Sequence, residues 1–193
     1  ATYPYGVGEF SPSYVSKRSG FVIKQLSGGG CEHMGNFPTF PVKGKLKMSP
    51  DNILNYRINV SEEKGHAGYY EAMVQEDIKA KLTVTERTGM ASYEYPADQQ
   101  YGTIIIGGGI SATPIEQAAI VITAPNKCEG YAEGGNFCGL RTPYKVYFVA
   151  EFDTDAFETG TWKREELMPN TTFAEGEYSG VYFTCLLYTS DAA

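Results

Sequence analysis

The stretch DIKAKLTVTER, residues 77–87, decides the fold class, because its side chains alternate between apolar and polar at successive positions. The apolar side chains all fall on one face of an extended chain: Ile78, Ala80, Leu82 and Val84. Lysines and threonines occupy the other face. A two-residue period is the pattern of a strand with one face in a core and the other in water. The stretch therefore predicts a half-buried antiparallel strand.

The sequence around this stretch repeats the signal. Residues 90–96, MASYEYP, follow across Thr88 and Gly89, which predicts a hairpin that ends at Pro96. Further strands are predicted at residues 69–74, 102–107, 118–124, 144–153 and 178–184. In the strand at 144–153 the apolar face consists of Val146, Phe148, Ala150 and Phe152. Regular strands punctuated by Gly, Pro and Asn predict an all-β antiparallel β-sandwich.

Helical periodicity is nearly absent from the chain. The best candidate is TWKREELMP, residues 161–169, which would give a turn or two before the proline stops it. The composition agrees with β structure, since 15 Tyr, 10 Phe and 22 Gly favour strands joined by tight turns. A length of 193 residues suits one domain with a substantial core. No repeat, low-complexity tract or linker divides it.

Charge and cysteine usage exclude several classes of function. The net charge of −7 and the lack of a basic run argue against nucleic acid as a partner. No apolar run approaches the roughly 20 residues of a membrane span. The four cysteines, at positions 31, 128, 138 and 185, lack zinc-site spacing and are too few for a disulfide scaffold.

The titratable residues provide no convincing catalytic or metal site. The carboxylates Glu151, Asp153 and Asp155 suggest the acid and base of a glycosidase. Glu151 and Asp153, however, alternate with an apolar strand face, which predicts that they form its solvated side. His66 is expected to be a turn residue stacked on a neighbour, and no Asp-x-Asp-x-Asp-Gly calcium loop occurs. We assign neither a catalytic residue nor a metal ligand.

Five blocks of sequence, taken in order, resemble the N-terminal β-sandwich domain of glycoside hydrolase family 92, the calcium-dependent exo-acting α-mannosidases. YPYGVGEFSPS is similar to the family's opening segment, and GFVIKQLSGGGCEHMGNFPTFP is similar to its glycine-rich loop running to a proline. The other blocks are HAGYYEAMV, IKAKLTVTERTGMASYEYP and NFCGLRTPYKVYFVAEFD with the later GTW. Any one of these blocks is a weak signal, whereas five in the family's order are a specific one.

The resemblance implies an inverting, calcium-dependent exo-α-mannosidase that removes terminal α-linked mannose from glycans. Its general acid and base belong to a C-terminal helical catalytic domain in cis, which also binds most of the calcium. The present chain would then be a fragment that is inactive alone and contributes to the pocket wall. We expect a β-sandwich domain at residues 1–185, incomplete at both ends, a non-native tail at 186–193, and a secreted or periplasmic protein.

The glycine-rich loop is the expected substrate-binding segment, because in the family it lies near the mannose pocket. Its candidate sugar contacts are Gln25, Ser27, Gly28, Gly29, Cys31 and Glu32. Glycines permit positive φ and close backbone approach, so amides and carbonyls can face a sugar or the partner domain. Gln25 stands where many members have histidine, and glutamine hydrogen-bonds hydroxyls without titrating near neutrality. The alternative is a structural turn between two strands, with Cys31 as a small buried residue.

Two other functions stay open on the sequence. A stand-alone carbohydrate-binding or structural β-sandwich would show an exposed aromatic platform, drawn from Tyr69, Tyr70 or Trp162. An enzyme complete within these residues would need a nucleophile, paired acids or a metal cluster, and the sequence offers none that convinces.

Overall fold

The computed structural model describes residues 9–12, 20–24, 35–51, 59–111, 114–135 and 142–187. In chain order the strands are β1 (Glu9–Pro12), β2 (Phe21–Lys24), β3 (Gly35–Lys43), β4 (Val60–His66), β5 (Tyr69–Val74), β6 (Ile78–Val84), β7 (Gly89–Glu94), β8 (Tyr101–Gly107), β9 (Ile115–Ala124), β10 (Lys127–Gly134), β11 (Tyr144–Glu151), β12 (Glu158–Lys163), β13 (Glu166–Pro169), β14 (Phe173–Glu175) and β15 (Ser179–Leu186). The described residues contain no helix, and so none that could cross a membrane. The predicted all-β class is confirmed.

The strands form three antiparallel sheets stacked in three layers. The central sheet has seven strands in the order β1-β2-β3-β8-β15-β12-β13. One outer sheet has the order β4-β5-β6-β7, and the other has the order β11-β10-β9-β14. The prediction of an antiparallel sandwich therefore holds, with a second outer layer that the sequence did not reveal.

Two hydrophobic cores hold the layers together, one on each face of the central sheet. The first core joins the central sheet to β4–β7 and includes Phe40, Ile105, Trp162 and Tyr182 with the apolar side of β6. The second core joins it to the other outer sheet and includes Ile106, Ile120, Val181 and Phe183. Neighbouring residues of β8 and β15 thus face opposite cores, as the pleat of a strand requires. A central strand that is buried on both faces has a continuous run of apolar residues, and this explains the three isoleucines at residues 104–106.

The predicted strands are confirmed with small shifts of their ends. Ile78, Ala80 and Leu82 are fully buried and Val84 is 7% exposed. The β6–β7 hairpin forms as predicted, with Val84 opposite Gly89 and the Thr85 N–H donating to the Thr88 carbonyl. The apolar face of β11 packs against the second core.

The helical candidate at residues 161–169 is wrong, because this segment forms the β12–β13 hairpin. Trp162 pairs with Leu167 and Lys163 with Glu166 across a two-residue turn, in which Arg164 has φ of +50°. β12 also pairs with β15 along its length. Pairing with β15 satisfies the backbone hydrogen-bonding groups of β12 and buries Trp162. A helix of one or two turns is only marginally stable, so the strand is the more stable conformation.

Candidate functional site

The glycine-rich segment connects two neighbouring strands at one end of the central sheet. Lys24, the last residue of β2, pairs with Gly35, the first residue of β3. The six predicted sugar contacts, Gln25, Ser27, Gly28, Gly29, Cys31 and Glu32, lie between these strands and outside the described residues. The structure therefore fixes where the segment leaves and rejoins the sheet. We call this end of the central sheet, marked by Gly35 and by residues 107–109, the glycine end.

Asn36 is the first fully buried polar side chain after the segment. It forms an isolated antiparallel bridge with Ser111, and its Oδ1 accepts a hydrogen bond of 3.3 Å from the Tyr144 hydroxyl. Tyr144 begins β11 of the outer sheet. The bond therefore ties an outer layer to the central sheet at the position where the segment rejoins it. Buried polar groups are hydrogen-bonded as a rule, and such contacts specify one arrangement of the chain.

A β-bulge follows directly in β3. Ile23 pairs with Asn36 but Phe21 pairs with Thr39, so β3 has an extra residue at Phe37 and Pro38. Phe37 has φ of +54°, a left-handed conformation that a bulky residue rarely adopts. Its ring packs on Phe148 at 4.1 Å between centroids, and this contact helps to hold the conformation. Bulges redirect side chains and are frequent beside functional sites.

The glycines at 107–109 allow the backbone of this turn to pack closely against the backbone at residues 176–179. The N–H groups of Gly108 and Gly109 both donate to the Ser179 carbonyl, at 2.9 and 3.0 Å. A Cβ on Gly109 would overlap the Gly176 carbonyl. The run GTIIIGGG is therefore a strand followed by a tightly held turn, and its glycines contact the chain itself.

Three further turns meet beside the glycine end. The Arg164 N–H donates to the Tyr178 carbonyl at 2.7 Å, and the guanidinium lies 5.0 Å from the Tyr178 ring centroid. The Ser49 hydroxyl donates to the Arg164 carbonyl. Burial raises the pKa of Asp51, and the nearby Arg164 charge partly opposes that shift. This corner thus combines a cation, a carboxyl and an aromatic face.

The carboxylates at the end of β11 and just beyond it are exposed to solvent, as predicted. Glu151 and Asp153 are exposed, and Glu151 pairs with Lys127 at 3.3 Å. His66 stacks on Tyr69 at 5.2 Å between ring centroids, which confirms the predicted stacking. Within the described part of the chain, no cluster of three or more His, Cys, Asp or Glu side chains could hold a metal ion.

The aromatic platform expected from Trp162 is wrong, because that side chain is only 1% exposed and belongs to the first core. Tyr69 and Tyr70 are half-buried, and their hydroxyls donate to Glu71 and Glu63 at 2.7 and 2.9 Å. Both hydroxyls thus bond to carboxylates of the same outer sheet, β4–β7. Trp162 therefore cannot form the exposed platform that a stand-alone carbohydrate-binding module would need.

The described cysteines have the character of buried structural residues. Cys128 is fully buried, and burial raises its pKa to about 12. Burial also raises the pKa of the half-buried Cys185. A thiol that stays protonated is a poor nucleophile and a poor metal ligand. We therefore assign neither cysteine a role in the candidate site.

Sequence reasoning missed most of the groups at the glycine end. Tyr144 and Asn36 are 108 positions apart, and Ser49 and Arg164 are 115 apart. No local periodicity signals such contacts. The bulge had a weak signal, since two prolines inside one apolar stretch, Pro38 and Pro41, indicate an irregular strand.

Comparison with known proteins identifies the family. The model of the glycosyl hydrolase family 92 N-terminal domain matches residues 2–186. A search of curated proteins finds no match. The chain resembles the solved structure of a family 92 glycosyl hydrolase, ccman5, with a TM-score of 0.80 and 20% identity, covering 100% of this chain and 28% of that one.

Two solved structures from Bacteroides thetaiotaomicron are also similar. A family 92 α-mannosidase has a TM-score of 0.78 and 22% identity, covering 96% of this chain and 29% of that one. A family 92 inverting mannosidase from strain VPI-5482 has a TM-score of 0.77 and 18% identity, covering 98% and 26%. These likenesses show the fold, and this chain spans less than a third of each structure. Because the family model covers nearly every residue, the chain belongs to glycosyl hydrolase family 92, as its N-terminal domain.

Proposed function

We propose that this chain is the N-terminal domain of an inverting exo-α-mannosidase that removes terminal α-linked mannose from glycans. The observation that carries the proposal is the family match over residues 2–186. The similar solved structures include an α-mannosidase and an inverting mannosidase, and they share this fold. The remaining part of the protein is a C-terminal helical catalytic domain in cis.

The glycine end contributes to the wall of the mannose pocket in this proposal. The segment at residues 25–34 leaves and rejoins the sheet there, beside the Tyr144–Asn36 hydrogen bond. Sugar pockets bind hydroxyls through a few fixed donors and acceptors. Gln25, Ser27 and the backbone of Gly28 and Gly29 supply both kinds of group.

The acid and base of the reaction lie outside this chain. An inverting glycosidase protonates the leaving oxygen with one carboxylic acid and activates water with a carboxylate roughly 6.5 to 9.5 Å away. The acidic residues that the sequence singled out, Glu151 at the end of β11 and Asp153 just beyond it, are exposed to solvent. The 193-residue chain alone is therefore inactive in this proposal.

Calcium belongs to the remainder of the protein. Ca²⁺ takes six to eight oxygen ligands, usually from several carboxylates and carbonyls. The described residues form no cluster of three acidic, histidine or cysteine side chains, so they do not fit such a site. The proposal accordingly assigns no calcium ligand to these residues. It also places the protein outside the cytoplasm, secreted or periplasmic, where mannose-terminated glycans are available.

The test is mannose release by the full-length protein from an aryl α-mannoside, with and without a calcium chelator. We expect chelator-sensitive release, and a loss of kcat/KM of roughly 10- to 100-fold for Gln25→Ala, which leaves a sugar hydroxyl without its partner. Thr83→Ala, on the outer side of β6, is the matched control and should retain wild-type activity. Absence of release, or equal losses in both variants, would contradict the proposal.

A further inference from the structure

The two outer sheets present chemically different surfaces to solvent. The outer side of β4–β7 carries ion pairs beside one large exposed apolar side chain, Met90: Glu71 pairs with Lys79 at 3.4 Å, and Glu94 pairs with Lys81. The outer side of the β11-β10-β9-β14 sheet instead exposes large apolar groups. Tyr147 is 72% exposed, Val149 61% and Phe173 53%. Exposed aromatic residues gathered on one face mark interaction surfaces more often than scattered ones do.

Register brings these groups into two rows across the sheet. Tyr147 on β11 pairs with Tyr131 on β10, which pairs with Ala119 on β9. In the next row a carboxylate interrupts the apolar groups, in the order Val149, Glu129, Val121 and Phe173. The face therefore alternates apolar and charged groups over a few ångströms. We call it the tyrosine face.

Tyr147 is the platform of this face, and a fixed cation stands beside it. The Tyr147 and Tyr131 ring centroids are 6.0 Å apart with planes inclined at 47°. The Lys145 ammonium lies 4.0 Å from the Tyr131 ring centroid and 5.6 Å from that of Tyr147. Its ion pair with Glu133, at 2.8 Å, holds it in position. Tyr131 is thus covered by the lysine, while the Tyr147 ring stays open to solvent.

We propose that the tyrosine face binds a neutral oligosaccharide, with one pyranose ring stacked on Tyr147. A pyranose presents C–H groups on its face and hydroxyls at its rim, and the electron-rich face of an aromatic ring attracts such weakly positive C–H groups. Lys145, Glu133 and Glu129 supply donors and acceptors around the ring. A protein partner of this area would instead favour a continuous apolar centre depleted of charge. The alternation of the tyrosine face therefore fits a sugar.

The position of the face suggests which sugar. Tyr144, which bonds Asn36 at the glycine end, is three residues before Tyr147 on the same strand. Three residues of strand span about 10 Å, but side chains three apart point to opposite faces of the sheet, and stacked sheets lie about 10 Å apart. The path from the central sheet around the end of the outer sheet to Tyr147 is therefore about 20 Å, the length of roughly four sugar units. A glycan of that length with its terminal mannose at the glycine end can reach Tyr147. The identity of the sugar, an α-linked manno-oligosaccharide, rests on the proposed function, whereas the stacking site does not.

Calorimetry with the full-length protein tests the inference. The probe is an S-linked α-mannotetraose, which glycosidases do not cleave, and free mannose serves for comparison. We expect Tyr147→Ala to weaken tetraose binding about tenfold without changing mannose binding, and Tyr147→Trp to retain it. Phe157→Ala is the matched control, because Phe157 is an aromatic residue 58% exposed elsewhere on the molecule. It should bind the tetraose as the wild type does.

Three calorimetric outcomes would overturn the inference: no tetraose binding by the wild type, no effect of Tyr147→Ala, or an equal effect of Phe157→Ala. Shielding of Tyr147 from tyrosine-selective labelling in the sugar-free protein would overturn it too, since another part of the polypeptide would then cover the face. Release of mannose from an aryl α-mannoside tests the proposed function separately, because that small substrate does not need Tyr147. Failure of one experiment therefore leaves the other interpretable.

Discussion

Gly160 provides a sharp test of the observed packing, because the fold leaves no room for a side chain there. It lies in β12, between Pro169 of β13 and Tyr182 of β15. A Cβ at this position would stand 2.6 Å from the Met168 carbonyl oxygen and 2.7 Å from both Cε1 and the hydroxyl of Tyr182. Unstrained contacts between heavy atoms are about 3.5 to 4.0 Å. Gly160→Ala thus requires shifts of about 1 Å.

Neither neighbour can move cheaply. The Met168 carbonyl belongs to the hairpin backbone, and Tyr182 is 1% exposed in the first core. Overpacking of this kind costs about 1–3 kcal/mol, and the backbone contact places Gly160→Ala near the upper end. For a chain of this size 1 kcal/mol shifts Tm by about 2–4 °C. The expected decrease in Tm is therefore about 4–12 °C.

Gly65 is the matched control, since it also lies in a strand. A Cβ there would meet the Tyr69 carbonyl oxygen at 3.4 Å, an ordinary contact. Gly65→Ala should leave the free energy of unfolding unchanged or raise it by up to about 1 kcal/mol, because alanine loses less backbone entropy on folding. Thermal unfolding followed by circular dichroism measures the Tm of both variants, and urea unfolding measures their free energy of unfolding. If Gly160→Ala melts as the wild type does, the packing of β12 between β13 and β15 is refuted.

Three other substitutions test contacts at the site and in the cores. Tyr144→Phe removes a donor to the buried Asn36 and should destabilise the chain by about 1 kcal/mol in urea unfolding; an unchanged midpoint would contradict the bond. Gly109→Ala should cost more than 1 kcal/mol because its Cβ would overlap a carbonyl, and Gly65→Ala again gives the reference. Burial raises the Cys128 pKa from 9.0 to about 12, so the contribution of this thiol is fully present below pH 9 and is lost as pH rises toward 12. Cys128→Ala should reduce the fall in stability between pH 9 and 12, and a fall as steep as in the wild type would show that other groups cause it.

Alternation along single strands made much of the fold predictable. In β6 every second residue is apolar and faces a core, so the side chains alone indicated both strand type and facing. In β11 the inward side chains are apolar as predicted, but the outward Tyr147 and Val149 are apolar too, so the alternation is only partial there. β10 gave no such signal, because its inward positions include Cys128, Gly130 and Ala132, which are small. Its neighbours pack closely where those small residues lie. When the buried face of a strand consists of small residues, the pattern of large apolar side chains does not reveal it.

The third layer and the glycine end depended on contacts that sequence does not encode locally. β3 shows no alternation of apolar and polar residues, because both of its faces are buried: Phe37 packs in the second core and Phe40 in the first. The β-bulge interrupts its pairing with β2 as well. The β12–β13 hairpin was misread because Lys163, Arg164 and Glu166 are good helix formers. Pairing with β15 overrides that preference. The predicted sugar contacts at residues 25–32 lie outside the described residues and remain predictions.

The stereochemistry of mannose release tests the central claim most directly. The full-length protein would be mixed with an α-linked mannobiose, and the first-formed anomer of free mannose would be followed by proton NMR before mutarotation. An inverting exo-α-mannosidase gives β-mannose first, and chelation of calcium should stop the release. Initial α-mannose, or no mannose at all, would contradict the proposal that this family 92 domain serves an inverting α-mannosidase.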